Sequence, residues 1–492
     1  MFQAPGINLL LVLPVIIVAG WAMVLMVVDL FLPDDKKKWI AWLSLVGLVL
    51  ALIQTIGLWG YEGGTFTAVE RPPMVLSDNY SVFLNVIFLL TGFLTVLISV
   101  NYLSKANIER GEYYYLMLFS ISGMMLMAQA NDLILVFLAL ELLSIPLYVL
   151  SGFARPRLES EESALKYFLL GAFASGFLVF GIALIYGATG STALPVVLTN
   201  IGSGGALGLA GVALLLVGFA FKVAVVPFHM WTPDVYEGAP TAVTAFMSVG
   251  AKVGGFAAMI RIFIYALPDL SDTWVPAVAV IAALTMIVGN VVALAQPNVK
   301  RMLAYSSIAH AGYIMMGVAA GIGSDTGVSA ALFYMLAYLF TNLGAFAVVV
   351  AVEQQDGRGV MLDDYKGLAR RSPMLALALA YFMLSLTGVP PTGGFSGKFF
   401  LFQAALDADL LWLAIVGAVT SVVSGYFYLR VVYLAFMFDP EGDPAPVSNW
   451  PALNTAVALT VVVTLILGIL PGAWFDVAQE AVFATVQALA GQ

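Results

Sequence analysis

The sequence predicts an all-α polytopic membrane protein of about fourteen transmembrane helices. Three observations predict it. Hydrophobic side chains make up 62% of the 492 residues and charged ones only 10%, against about a quarter charged in soluble domains. Apolar runs of about 20 residues recur with little between them, which leaves no room for an aqueous domain. Basic residues gather in alternate loops.

A window of about 19 residues places spans at 7–31, 39–59, 82–103, 113–128, 130–152, 163–187 and 206–236. Seven more fall at 240–265, 274–295, 300–319, 326–352, 372–406, 409–437 and 451–471. The first run is too long for a signal-peptide core and has no basic region before it, so it reads as a span. With the N-terminus outside, the inward loops hold Lys36, Lys37, Lys38, Lys105, Arg110, Arg155, Arg157, Lys300, Arg301, Arg358, Lys366, Arg370 and Arg371. The outward loops hold only Arg71. This positive-inside bias puts both termini on the periplasmic side.

The formal charge of −9 argues against nucleic acid as a partner, since a nucleic-acid binder needs a basic footprint. The absence of cysteine excludes disulfides, thiolate-held iron–sulfur clusters and cysteine nucleophiles. With only His229 and His310, a bis-histidine haem is not expected. No cofactor is therefore assigned to this chain, and electron transfer is expected elsewhere.

Six basic residues remain inside spans. Arg261 and Arg430 lie near helix ends, where snorkelling to the headgroups is expected. Lys166 follows Glu162 by four residues, so an i,i+4 surface pair and a functional role stay open for it. Lys222, Lys252 and Lys398 sit deep within theirs, where a charge is costly and faces a partner, a cavity or an ion path. Glu141, in FLALELLSIPLYVL, is the acidic counterpart and is expected to share charge with one of the lysines.

The seventh and twelfth spans are longer than one crossing needs, and both are interrupted. Pro227 is expected to break the seventh beside Lys222 by freeing the carbonyl of Val223. Gly388, Pro390, Pro391, Gly393 and Gly394 break the twelfth just before Lys398. Irregular backbone at membrane depth is tolerated where it lines a watery cavity or is buried in protein. The two breaks lie five spans apart, an odd offset that reverses direction. Spans 4–8 and 9–13 are therefore expected to be two inverted five-helix repeats. This divides the chain into an N-terminal three-helix segment (1–112), repeat one (113–265), repeat two (274–437) and a C-terminal helix and tail (438–492). Thr232-Pro233-Asp234 reads as a capped helix N-terminus, which makes Asp234 and Glu237 structural. Because an unperturbed histidine titrates near neutral pH, His229 and His310 are candidate proton relays or satisfied polar groups.

Four ordered motifs, ELLSIPLYVLSGF, FKVAVVPFHMWTPDVYEGAPTAVTAFMSVGAKVGGFA, NVKRMLAYSSIAHAGY and GVPPTGGFSGKFFLF, resemble the antiporter-like subunits of respiratory complex I and their Mrp-antiporter relatives. Complex I is the proton-translocating NADH:quinone oxidoreductase. The resemblance runs from the fourth span to the thirteenth. Lys398 in place of a glutamate, the PPTGGFSGK wording and a chain ending soon after its fourteenth span resemble the N branch rather than L or M. The resemblance implies proton translocation through Glu141, Lys222, Lys252 and Lys398, with Lys166 or Lys222 as the partner of Glu141 and His310 on the central hydrophilic axis. It also implies quinone, NADH, FMN and iron–sulfur clusters in partner subunits. Those partners are an M-like neighbour and small A-, J- and K-like subunits, in a bacterial inner membrane rather than a plastid or other energy-transducing one. The alternatives are an Mrp-type cation/proton antiporter subunit and a non-catalytic scaffold.

Overall fold

The computed structural model describes residues 6–67, 71–355, 357–440 and 446–482. The expected tail at 483–492 lies outside the described residues. The N-terminal segment holds α1 (Leu9–Asp29), α2 (Lys38–Ile56) and α3 (Asn79–Lys105). Strands β1 (Gly63–Thr65) and β2 (Val75–Ser77) form a small antiparallel hairpin between α2 and α3, with Gly63 opposite Ser77. Next come α4 (Glu112–Gln129), α5 (Leu133–Ser151), α6 (Leu158–Thr189) and the short α7 (Leu194–Asn200). The first interrupted element is α8 (Gly205–Lys222) followed by α9 (Trp231–Gly238).

The eighth expected span is a single helical rod built from α10 (Thr241–Phe246), a π-helical turn at Met247–Ala251, α11 (Lys252–Ile260) and a second π-helical turn at Arg261–Ala266. After it run α12 (Ser271–Ala293), α13 (Val299–Ala320), α14 (Gly327–Val352) and the single turn α15 (Leu368–Arg371). The second interrupted element is α16 (Pro373–Thr387) with α17 (Gly393–Asp407). Helices α18 (Leu411–Met437), α19 (Pro451–Ile469) and α20 (Pro471–Glu480) complete the bundle.

Each expected span falls on a helix, and 12 helical segments among the described residues are long and apolar enough to cross a membrane. The other two expected crossings, α4 and the interrupted α16–α17, fall outside that set. The polar ends are closed locally. Asp78 caps α3 in a reciprocal box with Ser81, Asp132 caps α5, and Asn298 accepts from the Lys300 and Arg301 amides at the start of α13.

The α10–α11 rod, α13 and α14 form the buried centre. Helices α1, α2, α6 and α19 leave wide faces outside. Leu165, Phe168, Leu169, Phe173 and Phe180 all point outward from α6. Such a face would be an aggregation liability in water, and in a bilayer it meets lipid tails or another subunit. On its inner side α6 packs on α8 through glycines. A Cβ on Gly181 would meet the Leu215 amide at 2.9 Å, so the backbones approach as only small residues allow.

Both interrupted helices end in the same way. Helix α8 stops at Lys222, and Ala224 turns left-handed with φ +60°. The Ala224 amide donates to Phe221 O (3.1 Å) and the Val225 amide to Ala220 O (3.0 Å). This paired pattern is a Schellman termination. In α16 the left-handed residue is Gly388, whose amide donates to Ser385 O (3.0 Å) while that of Val389 donates to Leu384 O (3.0 Å).

Three expectations need correction. The seventh span does not stop because of Pro227, since the helix has ended at Lys222 and the Val223 amide still bonds Phe219 O. Thr232 is no cap: α9 starts one residue earlier without a side-chain cap, and Asp234 and Glu237 make ion pairs instead. Arg261 does not snorkel. It is 3% exposed, grips Asp78 through both guanidinium ends (2.8 and 2.9 Å) and donates to Ala128 O. Arg430, by contrast, is exposed on α18.

Candidate functional site

Lys222 is the last residue of α8 and is buried. It therefore lies at the negative end of a helix dipole, where four carbonyls lack intrahelical donors. Its Nζ donates to Ser144 Oγ on α5 (2.7 Å) and lies 5.8 Å from the centre of the Tyr167 ring. Glu141 is one turn before Ser144 on the same face of α5. It is half-buried, and Oε1 accepts from Ser175 Oγ on α6 (2.5 Å). No direct ion pair joins Glu141 to Lys222 among the described residues, yet Glu141 is the carboxylate whose field reaches Lys222. A pocket of about 10 Å³, the size of one water, is lined by Ser144, Ser175 and Lys222.

Lys252 follows the first π-helical turn directly. Such turns displace the backbone ladder and occur often at functional sites. The ammonium is buried and donates to both the carbonyl (2.6 Å) and the hydroxyl (2.5 Å) of Ser307 on α13. Nearby, the hydroxyls of Tyr236 and Tyr338 are buried with no hydrogen-bond partner among the described residues.

Three residues further along α13, His310 Nδ1 meets Tyr334 OH (2.5 Å) and Nε2 meets Tyr428 OH (3.1 Å). Tyr428 OH in turn meets Ser306 Oγ (2.5 Å). The fields of both Lys252 and Lys398 act on this imidazole. Lys398, on α17, reaches back to the end of α16 and donates to Leu386 O (3.0 Å), Thr387 O (2.9 Å) and Ser421 Oγ (2.7 Å). It sits 4.7 Å from the centre of the Tyr313 ring, and that ring lies 5.9 Å from the His310 ring.

Helix α13 is thus the spine of the site, presenting Lys300, Ser307, His310 and Tyr313 at spacings of three or seven residues that keep them close to one side. Sequence reasoning singled out His310 on this helix and passed over Ser307, Tyr313, Tyr334 and Tyr428. The polar spacing within KRMLAYSSIAHAGY carried a signal for the first two.

The structure buries Lys222, Lys252, His310 and Lys398, sets the half-buried Glu141 beside Lys222, and leaves Lys166 apart from them. Lys166 is 39% exposed in its side chain and bonds Glu162 (2.6 Å) and Asp234 (2.7 Å). Asp234 and Glu237 also bind Arg301 (both 2.8 Å), and this network lines a cavity of about 620 Å³. His229 is half-buried in the break between α8 and α9, with Nδ1 unpartnered among the described residues.

The family described as NADH:quinone oxidoreductase/Mrp antiporter, TM, matches residues 130–424. A Chloroflexus aggregans protein named NADH-quinone oxidoreductase subunit N is 50% identical over 483 residues, 97% of each chain. A Trichlorobacter lovleyi protein of the same name is 47% identical over 484 residues, again 97% of each. Among solved structures, a chain of respiratory complex I from Thermus thermophilus with bound aureothin is 38% identical, with a TM-score of 0.80 over 95% of this chain and 99% of that one. A chain of the Mrp complex from Dietzia shares the fold, with a TM-score of 0.85 over 99% and 100% of the two chains at 23% identity.

Proposed function

Because the chain belongs to the NADH:quinone oxidoreductase/Mrp antiporter family, we propose that it is a proton-translocating membrane subunit of an NADH:quinone oxidoreductase, of the N type. It would work in a bacterial inner membrane with both termini periplasmic. It would be joined to an M-like neighbour and small A-, J- and K-like membrane subunits. With no cysteine and two histidines, it is assigned no redox centre. NADH, FMN, iron–sulfur clusters and quinone belong to partner subunits, and quinone reduction there supplies the free energy.

One observation carries the reading: buried lysines stand at two helix breaks and one π-helical turn, and hydroxyls and an imidazole of the bundle centre lie between them. A buried ammonium that loses its counter-charge costs several kcal/mol. Lys222 has Glu141 within its field and Ser144 as acceptor. When a neighbouring subunit draws the Glu141 charge away, Lys222 releases its proton toward Lys252. Lys252 then passes charge by Ser307, His310 and Tyr313 to Lys398, the exit group. Waters beside the breaks complete the path, as irregular backbone at membrane depth permits. The common Schellman ending of α8 and α16 supports the two inverted repeats, 113–265 and 274–437, that follow the N-terminal segment 1–112 and precede the C-terminal part 438–492.

The test is made in the assembled complex reconstituted in vesicles. Lys222→Ala, Glu141→Ala and Lys252→Ala are each expected to lower coupled quinone reduction and proton pumping together. Normal pumping in all three would sink the assignment. Co-purification with redox subunits rather than with small antiporter subunits separates this reading from an Mrp-type exchanger.

A further inference from the structure

Most charges around the 620 Å³ cavity pair with one another, as the Lys166, Asp234, Glu237 and Arg301 network does. Glu353 does not. It follows α14 directly and is 6% exposed, lining the cavity wall, and its Oε2 is buried with no hydrogen-bond partner among the described residues. Buried carboxylate oxygens are almost always hydrogen-bonded, so an orphan one beside a cavity roomy enough for water needs an occupant. A proton on the carboxyl, shared with water in the cavity, satisfies such an oxygen.

The charged and titratable groups facing Glu353 come from several elements. They are Lys300 on α13, Tyr102 on α3 and Tyr365 before α15, with Lys105 donating to the Glu353 carbonyl and Arg157, before α6, lining the same cavity. Lys300 is 4% exposed and donates to Ala239 O (2.7 Å). Seven residues on, about 10 Å along the same face of α13, Ser307 accepts from Lys252. The buried hydroxyls of Tyr236 and Tyr338 face Ser307.

We infer that Glu353 is the proton-loading carboxylate of this cavity, passing protons through Lys300 to the Lys252–Ser307 site. The inference rests on the proton-translocation reading above. Hydronium in the cavity gives a proton to the carboxylate and leaves as water. The resulting acid gives that proton to the Lys300 amine once the amine has released its own inward past the tyrosine hydroxyls. Each transfer makes one O–H or N–H bond as it breaks another, and no electrons move.

The experiment uses the assembled complex in vesicles, with pumping followed as the pH on the cavity side is varied. Glu353→Gln is expected to lower pumping severalfold in alkaline medium, where protons are scarce, and to recover toward acid pH. Glu353→Asp should keep most of the activity. Lys300→Arg keeps the charge but cannot release a proton, so it should reproduce the alkaline loss of E353Q even if E353Q fails to assemble. An unchanged pH profile in E353Q or K300R overturns the inference, as does an equal loss in E353Q and E353D at every pH. Lys252→Ala serves as the reference in the same preparations. Pumping lost there but kept in E353Q refutes the loading role alone, whereas pumping kept in both refutes the translocation reading as well.

Discussion

Removing the charge from Asp78 tests whether the outer end of the α10–α11 rod is held by a buried ion pair. Arg261 is 3% exposed in its side chain and Asp78 16%, so the pair is desolvated and breaking it is costly. Loss of one partner of such a pair costs about 3–5 kcal/mol. Arg261 keeps its bonds to Ala128 O (3.1 and 2.9 Å), which favours the lower end. Asp78→Asn also retains an acceptor for the Ser81 amide, so the cap of α3 survives and the charge is isolated. A loss of about 3 kcal/mol is about a hundredfold in local opening. Amide hydrogen exchange across residues 255–266 of the assembled complex should accelerate by that factor.

The pH dependence has a definite sign. Burial pushes the Asp78 carboxyl up, but the Arg261 guanidinium and the amide and hydroxyl of Ser81 more than reverse this and hold it below the ordinary carboxylate value. Its contribution is therefore fully present above about pH 4 and is lost as pH falls through the lowered folded value. Protection, corrected for intrinsic exchange, should fall in acid for the native chain and change little for D78N. Arg261→Lys should also lose protection, because a single ammonium cannot make the two-ended grip, while keeping an acid dependence, since the Asp78 carboxyl still faces a cation. Native-like protection in both variants, with no acid dependence, would mean that Arg261 merely snorkels.

Two further outcomes follow from the helix breaks. Ala224→Gly should leave the complex as stable or more so, whereas Ala224→Val, β-branched at a left-handed φ, should cost on the order of 1–2 kcal/mol; thermal inactivation of quinone reduction by the complex reads both. Lys398→Met keeps length but removes the donors to Leu386 O, Thr387 O and Ser421 Oγ. It should abolish pumping with assembly intact, and Ser421→Ala should cost only part of it.

The spans were legible in the sequence because hydropathy is a local property, and the twelfth-span break was legible because glycine and proline announce it. The seventh-span break was visible as a place but not as a cause. Its stop residue is Ala224, an alanine in a conformation that propensity reserves for glycine, whereas the breaker that composition displays is Pro227, three residues later. The depth of Lys222, Lys252 and Lys398 was also readable from hydropathy. Their acceptors were not, because Ser144 lies 78 residues from Lys222 and Ser307 55 residues from Lys252. The burial of Arg261 is hidden from the sequence for the same reason. Its partner Asp78 is 183 residues away, and without that partner a helix-end arginine reads as a snorkel.

The lysines differ in what holds their charge, and on the proposed function that difference sets a direction. Lys252 and Lys398 rest on backbone carbonyls and hydroxyls, which are fixed dipoles. Lys222 has, besides a fixed helix end, the field of a carboxylate that is only half-buried and is held by a single serine hydroxyl. A fixed dipole cannot be withdrawn during a cycle, whereas the charge of Glu141 can be neutralised or drawn outward by a group on a neighbouring chain. Among the three lysines, Lys222 is therefore where an external event can change the free energy of a buried proton. In the proposed mechanism Lys252 and Lys398 would respond to that change through each other, with His310 in the fields of both.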